Sequence, residues 1–73
     1  MSKFSYKKLF KKLIDKDMKN TELMKEAKVS KSTFYKIKNG ENVTTDVLLR
    51  ICDVLECDIS EIVECVKIED KWK

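Results

Sequence analysis

The side chains that could support chemistry in this sequence are three cysteines, several serines and many lysines, with no histidine among them. The cysteines, Cys52, Cys57 and Cys65, are odd in number, and their spacing matches no recognised metal motif. A metal site would lack a fourth ligand, so we expect none. Ordinary cysteine behaviour predicts that Cys52 and Cys57 are small buried apolar residues, whereas Cys65 could be an exposed thiol.

The residues for catalysis are also missing. Ser30, Ser32 and Ser60 have no neighbour of a type that would activate a hydroxyl, and no glycine-rich loop is present to cradle a phosphate. Lysine chemistry would need a buried lysine, but every lysine falls on a polar face of the pattern. The sequence therefore predicts a protein that is not an enzyme and has no cofactor and no small-molecule substrate.

Length and composition favour one small helical domain. With 73 residues there is no room for a second core, and proline is absent while glycine occurs once. Charged residues make up 40% of the chain, which could indicate disorder, but the 42% of hydrophobic residues recur in regular patterns. We expect the chain to fold.

Neither a membrane span nor a signal peptide is predicted. No apolar run approaches the roughly 20 residues that cross a bilayer. The basic N-terminal residues are not followed by the apolar stretch of a signal peptide. We therefore expect a cytoplasmic protein with no membrane partner.

Charge is distributed unevenly along the chain. Residues 1–40 hold 12 lysines and four acidic residues, a net charge of +8, and residues 41–73 have a net charge of −5. A basic half joined to an acidic half is common in proteins that meet a polyanion with one face, although a lysine-rich solvated helix face gives the same pattern.

Apolar spacing predicts five helices. The first carries Tyr6, Leu9, Phe10, Leu13 and Ile14 on one side. The second begins near Asn20 or Thr21, either of which could cap it, and the third runs from its cap Ser30 to Asn39-Gly40. Thr44 caps a fourth helix, and Asp58 with Glu61 forms a capping box for a short fifth. The residues predicted to face the core, fully or in part, in the last four helices are Leu23, Met24, Ala27, Thr33, Phe34, Ile37, Val47, Leu48, Ile51, Cys52, Leu55, Ile59, Ile62 and Val63.

The end of the chain is less regular. Residues 66–69 alternate apolar and polar side chains, which favours a short extended tail over a helix. We place the domain at residues 1–65 and the tail at residues 66–73. The tail could pair as a strand between subunits or stay loose.

Residues 20–39 have the layout of a helix-turn-helix. Two short helices joined by three or four residues form the unit that docks its second helix in the major groove of DNA. That helix needs a polar outward face and an apolar inward one. Lys31, Ser32, Thr33 and Lys36 lie in its first turns, and side chains of these types can pair with base edges. Asn20, Lys38 and Asn39 could reach phosphates.

The run from Thr21 to Gly40 resembles the helix-turn-helix of the Cro/repressor type, also called the XRE family. It reads TELMKEAKVSKSTFYKIKNG, and the following segments ENVTTDVLLRIC and LECDI are similar to a compact stand-alone subgroup of that family. The resemblance extends over roughly residues 6–65. It implies an all-α, compact five-helix, lambda-repressor-like domain that commonly binds DNA as a homodimer.

The resemblance also implies roles for individual residues. Base-reading positions fall on Lys31, Ser32 and Lys36, with Thr33 and Tyr35 beside them. Phosphate contacts fall at the start of the second helix and the end of the third; the predicted set is Asn20, Thr21, Tyr35, Lys38 and Asn39. One departure is Lys28, which occupies the turn position that is usually glycine, and we expect it to tolerate a left-handed backbone.

Two functions follow as predictions. The first is a sequence-specific regulator of transcription that binds double-stranded DNA, repressor-like, with a recognition helix at about residues 30–38. The alternative is a protein-interaction module, such as an adaptor, antitoxin or inhibitor, built on the same fold. The alternative predicts an exposed apolar patch near the tail.

Overall fold

Four α-helices make up most of residues 2–67, the part of the chain that the computed structural model describes. None of these helices is long and apolar enough to cross a membrane. In chain order the elements are β1 (Ser2–Ser5), α1 (Lys7–Asp15), α2 (Asn20–Ala27), α3 (Lys31–Lys38), α4 (Thr45–Leu55), a short 3-10 helix (Ile59–Glu61) and β2 (Glu64–Lys67).

The prediction of an all-α domain with five helices is therefore wrong in two respects. The fifth helix is a single 3-10 turn, and β1 and β2 form a two-stranded antiparallel sheet. In this sheet Phe4 pairs with Cys65 and Ser5 pairs with Glu64. Each strand has four residues, and the alternation that the sequence shows at residues 66–69 overlaps only Val66 and Lys67 of β2.

The strand β2 begins before the expected extended tail. It starts at Glu64, spans the predicted domain boundary after residue 65, and pairs with β1 of the same chain. Val66 and Lys67 are extended as expected. Ile68 and Glu69, which we also expected to be extended, lie outside the described residues, as do residues 70–73.

The core is formed by one apolar side of each helix. Its fully buried side chains come from α1, α2, α3, α4 and the segment after the 3-10 helix: Leu9, Leu23, Ile37, Ile51, Leu55 and Ile62. Cys52 and Cys57 are half-buried against this core, and Cys65 is exposed. The predicted core faces of α2, α3 and α4 are confirmed.

Two residues predicted to face the core are exposed instead. Ile14 is 78% exposed because at 100° per residue it lies far around α1 from Leu9. Ile59 is 45% exposed because the 3-10 helix makes a single turn, after which Ile62 fills the core position.

Polar caps begin most of the helices. The hydroxyls of Ser30 and Thr44 accept hydrogen bonds from the amides of Thr33 and Val47, as predicted. Asp58 and Glu61 form the predicted capping box. The predicted cap of α2, Asn20 or Thr21, is wrong. Both residues lie inside the helix, which begins at Asn20, and the cap position is Lys19. There the Glu22 carboxylate accepts a hydrogen bond from the Lys19 amide at 3.0 Å.

Each of the four helices is followed by a left-handed residue. These residues are Asp17, Lys28, Gly40 and Glu56, with φ between 52° and 75°. The left-handed turn lets the next amide bond back to the last helical turn, as Glu41 does to the Lys36 carbonyl at 2.8 Å and Val29 to the Met24 carbonyl at 2.9 Å. The tolerance expected of Lys28 is confirmed, since its φ is 56°.

We predict opposite stability changes at two of these turns. Replacing Lys28 by glycine removes the steric cost of a left-handed side chain and should raise the free energy of unfolding by about 0.5–1 kcal/mol, after allowing for the greater freedom of glycine in the unfolded chain. Gly40→Ala should lower it by about 1 kcal/mol through φ alone, since an added Cβ would lie 3.8 Å from the Phe4 carbonyl oxygen, an ordinary contact. Urea denaturation measures both. A loss of stability in Lys28→Gly would contradict this view of the turn.

Candidate nucleic-acid interface

The helix α3 begins in a network of hydroxyl groups. Ser30 caps the helix by accepting from the Thr33 amide at 3.2 Å, and its hydroxyl donates to Thr33 Oγ1 at 2.9 Å. Ser32 Oγ lies 3.2 Å from Ser30 Oγ. The predicted base-contacting residues Ser32 and Thr33 are thus adjacent at the start of the helix, with Thr33 also serving the cap.

The outward face of α3 is polar apart from one aromatic ring. Ser32, Tyr35 and Lys36 are exposed. Ser32 lies three residues before Tyr35 and four before Lys36, so the three share the side opposite Phe34 and Ile37. Tyr35 is 52% exposed, and Lys38 Nζ lies 5.9 Å from the centre of its ring. Lys31, at the first position of the helix, is exposed as well.

The lysines of α3 carry charge that no carboxylate neutralises within residues 2–67. The ion pairs in this region use Lys8, Lys12 and Arg50 instead. Lys12 lies 3.1 Å from the Glu61 carboxylate, whose pKa is lowered by hydrogen bonds from the Asp58 amide and from Lys12 itself. Part of the basic N-terminal half is therefore paired with the acidic C-terminal half, and α3 is left positive.

The other predicted contacts lie at the ends of the two helices. Asn20 and Thr21 are exposed in the first turn of α2, where backbone amides have no partner within the helix. Lys38 and Asn39 are exposed at the end of α3. The fold thus places Lys31, Ser32, Thr33, Tyr35 and Lys36 on one helix, with the other four predicted residues at helix ends.

A shallow cleft runs along one side of α3. Thr33 and Lys36 line it together with Asn42, Val43, Thr44 and Val47, and its volume is about 300 Å³. The loop before α4 therefore lies beside the predicted base-contacting residues. The sequence pattern did not single out Asn42 or Thr44 for this position.

Packing against α1 fixes the inner side of α3. Phe34 and Ile37 are buried, and the rings of Phe10 and Phe34 meet edge to face with their centres 6.0 Å apart. Because the inner side is held by large apolar groups, α3 cannot rotate about its axis without opening the core. The outward face is fixed in consequence.

Arg50 supports the turn that precedes α3. Its Nη1 donates to the Lys28 carbonyl at 3.1 Å, and its Nε lies 3.4 Å from the Asp46 carboxylate one turn earlier on α4. This guanidinium therefore connects α4 to the left-handed turn of the helix-turn-helix. Sequence reasoning missed it, because its partner is a backbone carbonyl 22 residues away.

Tyr6 supports the other end of α3. The residue is buried, and its hydroxyl donates to the Glu41 carbonyl at 2.9 Å, just after the left-handed Gly40. The sequence indicated Tyr6 only as a core residue. Burial raises the pKa of the Tyr6 hydroxyl, so the neutral donor persists to higher pH than in an unfolded chain.

A second groove adjoins the end of α3. Its lining includes Lys3, Lys7, Lys38 and Asn39, and its volume is about 480 Å³. The strand β1 brings Lys3 to this position, and because the strand was not predicted, sequence reasoning missed the residue. Lysine side chains thus continue from α3 to the N-terminal strand, and the Glu64 carboxylate of β2 also lines this groove.

Residues 8–67 match the sequence profile of the Cro/C1-type HTH DNA-binding domain. The chain belongs to this family. The family model describes a DNA-binding domain of the HTH type, and α2 and α3 both lie within the matched residues. A search of curated proteins found no match.

The fold is also similar to that of a solved transcriptional regulator. The crystal structure of the transcriptional regulator VanUg superposes with a TM-score of 0.89 and shares 49% sequence identity. The match covers 92% of this chain and 89% of that one. At this identity the likeness extends to sequence as well as fold, and together with the family match it supports a DNA-binding regulator.

Tyr6→Phe tests the support at the end of α3. Losing the hydrogen bond to the Glu41 carbonyl should lower the free energy of unfolding by about 1 kcal/mol at neutral pH. Because the folded pKa of Tyr6 is raised, the wild-type chain should also lose stability as pH rises from about 10 towards that value, and the Phe variant should lose less. Urea denaturation at neutral and alkaline pH measures both effects. An identical alkaline loss in the two proteins would contradict this role.

Proposed function

We propose that the protein is a sequence-specific, repressor-like regulator that places α3 in the major groove of double-stranded DNA. The observation that carries the proposal is the outward face of α3, where hydroxyl groups and lysines that pair with no carboxylate of residues 2–67 lie on a helix held at both ends. An α-helix fits the major groove, where each base pair presents a distinct pattern of donors and acceptors.

The residues divide into two roles under this proposal. Base edges are read by Lys31, Ser32, Thr33 and Lys36, since a lysine can donate to guanine O6 and N7 and a hydroxyl can pair with several bases. Phosphates are bound by Asn20, Thr21, Tyr35, Lys38 and Asn39, which fix the register of the helix on the duplex. Lys3 and Lys7 extend the phosphate-binding surface, because they share a groove with Lys38.

We further propose that two copies act together. A homodimer would place its two α3 helices in successive major grooves, with half-site centres roughly 34 Å apart. Occupancy of such a site would block polymerase. We propose the helix-turn-helix at residues 20–39 within a domain of residues 1–65, with residues 66–73 as a tail.

Lys36→Ala tests the base-reading role. The variant should bind its preferred duplex with a free energy weaker by about 1–3 kcal/mol and discriminate less at one base position. The measurement is fluorescence anisotropy with duplexes selected from a random-sequence pool. Unchanged affinity and unchanged preference would remove Lys36 from the reading set.

Lys38→Ala tests the phosphate-binding role. It should weaken binding to all duplexes about equally and reduce the slope of log K against log salt by about 1. Lys16→Ala is the matched control. Lys16 is exposed at the C-terminal end of α1, and its substitution removes the same charge as Lys38→Ala. An equal reduction of the slope in both variants would show that net charge alone, and not the position of Lys38, is responsible.

A protein-interaction module is the second candidate function. Its support is a pair of exposed apolar side chains, Leu49 at 61% and Ile59 at 45%, which line one cleft on the α4 side of the domain. Leu49→Ser with Ile59→Ser should abolish partner binding under this function. The same double variant should leave the affinity of one domain for a half-site unchanged, because every proposed DNA contact is intact.

A further inference from the structure

The end of α4 brings two cysteines together through its backbone. Glu56 is left-handed, and the turn it makes allows the Cys57 amide to donate to the Cys52 carbonyl at 3.1 Å. In helix ends of this type the side chains at the two hydrogen-bonded positions commonly touch. Here both positions are cysteine, so the capping turn places one thiol beside the other.

The two thiols are accessible to small molecules. Both residues are half-buried, and both line a cleft of about 340 Å³ with Leu49, Asp53, Asp58 and Ile59. Burial raises the pKa of the Cys52 thiol, and the neighbouring Cys57 sulfur raises it further through its charge and a hydrogen bond. The influence of one thiol on the other agrees with the proximity that the backbone imposes.

We propose that Cys52 and Cys57 are a modification site, a dithiol that a small-molecule disulfide such as oxidised glutathione converts to an intrachain disulfide within the folded domain. The inference does not depend on the proposed function. It assigns a role to residues on the opposite side of α4 from the turn that Arg50 supports.

The reaction balances as two thiol–disulfide exchanges. One cysteine thiolate attacks a sulfur of oxidised glutathione, forming a mixed disulfide and releasing one glutathione thiolate. The second cysteine thiolate then attacks the protein sulfur of that mixed disulfide, and the second glutathione leaves. The pair loses two electrons and two protons, and one molecule of oxidised glutathione becomes two of the reduced form.

The backbone hydrogen bond between the two cysteines favours the geometry that a disulfide requires. A disulfide needs Cα atoms about 4.4–6.8 Å apart, and a backbone hydrogen bond between the two residues keeps their main chains near one another. The native turn therefore pre-organises the pair, whereas in an unfolded chain the same segment samples many extended conformations. Bridging should be more favourable in the folded protein than in the unfolded one.

The test uses the full chain with Cys65→Ser, which removes the exposed thiol on β2 and prevents links between copies. The protein is equilibrated in glutathione buffers of varied oxidised-to-reduced ratio. The remaining free thiols are then alkylated, and the mass of the chain is measured by mass spectrometry. The expected product is a chain lacking two hydrogen atoms, with no alkyl group and no glutathione, and with the circular dichroism of the reduced domain. The control with Cys52→Ser and Cys65→Ser should yield only a glutathione mixed disulfide on Cys57.

Repeating the equilibration in urea provides the decisive comparison. We expect an equilibrium constant for bridging at least about tenfold higher in the folded chain than in the unfolded one. An equal or lower constant in the folded chain, or glutathione adducts as its sole oxidised product, would overturn the proposal. DNA affinity does not enter this measurement, so its outcome is separate from that of the proposed function.

Discussion

The burial of Phe34 and Ile37 in the core, with the Phe34 ring edge to face against Phe10 of α1, is the interaction on which the candidate interface depends. It determines which side of α3 faces the core and therefore which side chains face outward. Supports at the two ends of the helix then limit its tilt. Before the helix, Arg50 reaches the Lys28 carbonyl; after it, Tyr6 reaches the Glu41 carbonyl. A recognition helix must present its side chains at a fixed angle to DNA, and here anchors from α1 and α4 provide that constraint.

Short connections between helices set a second constraint. Each of the four described helices is followed by a left-handed residue, and only one of these residues is glycine. The strain at Asp17, Lys28 and Glu56 is local, whereas the hydrogen bonds back to the preceding turn satisfy carbonyls that would otherwise be unpaired. A small domain buries little apolar surface, so it can offset only a limited conformational strain. The strained turns are tolerated where they bring the apolar faces of successive helices into contact. At the end of α4 the same kind of left-handed turn also brings Cys52 and Cys57 together.

Much of the fold could be predicted from apolar periodicity, which places α2, α3 and α4 and their buried sides correctly. The caps Ser30 and Thr44 could be predicted because a hydroxyl before an apolar-periodic run has a known role. The alternation at residues 66–69 indicated only that Val66 and Lys67 are extended; β1 and the start of β2 could not be predicted, since their pairing joins segments about 60 residues apart. The support that Arg50 and Tyr6 give to the ends of α3 was not predicted, because a side-chain hydrogen bond to a distant backbone carbonyl leaves no pattern in the sequence. The exposure of the α3 residues agrees with the sequence prediction; their contacts with DNA remain predictions.

The most direct test of the central claim is a nuclear magnetic resonance titration of the labelled protein with a short duplex that it prefers. We predict that amide shift changes concentrate in α3 and the start of α2, with smaller changes around Lys3 and Lys7. The amides around Leu49 and Ile59 should stay unchanged at a single half-site. Shift changes concentrated on the Leu49 and Ile59 side, with α3 unaffected, would contradict the claim that α3 is the DNA-facing element.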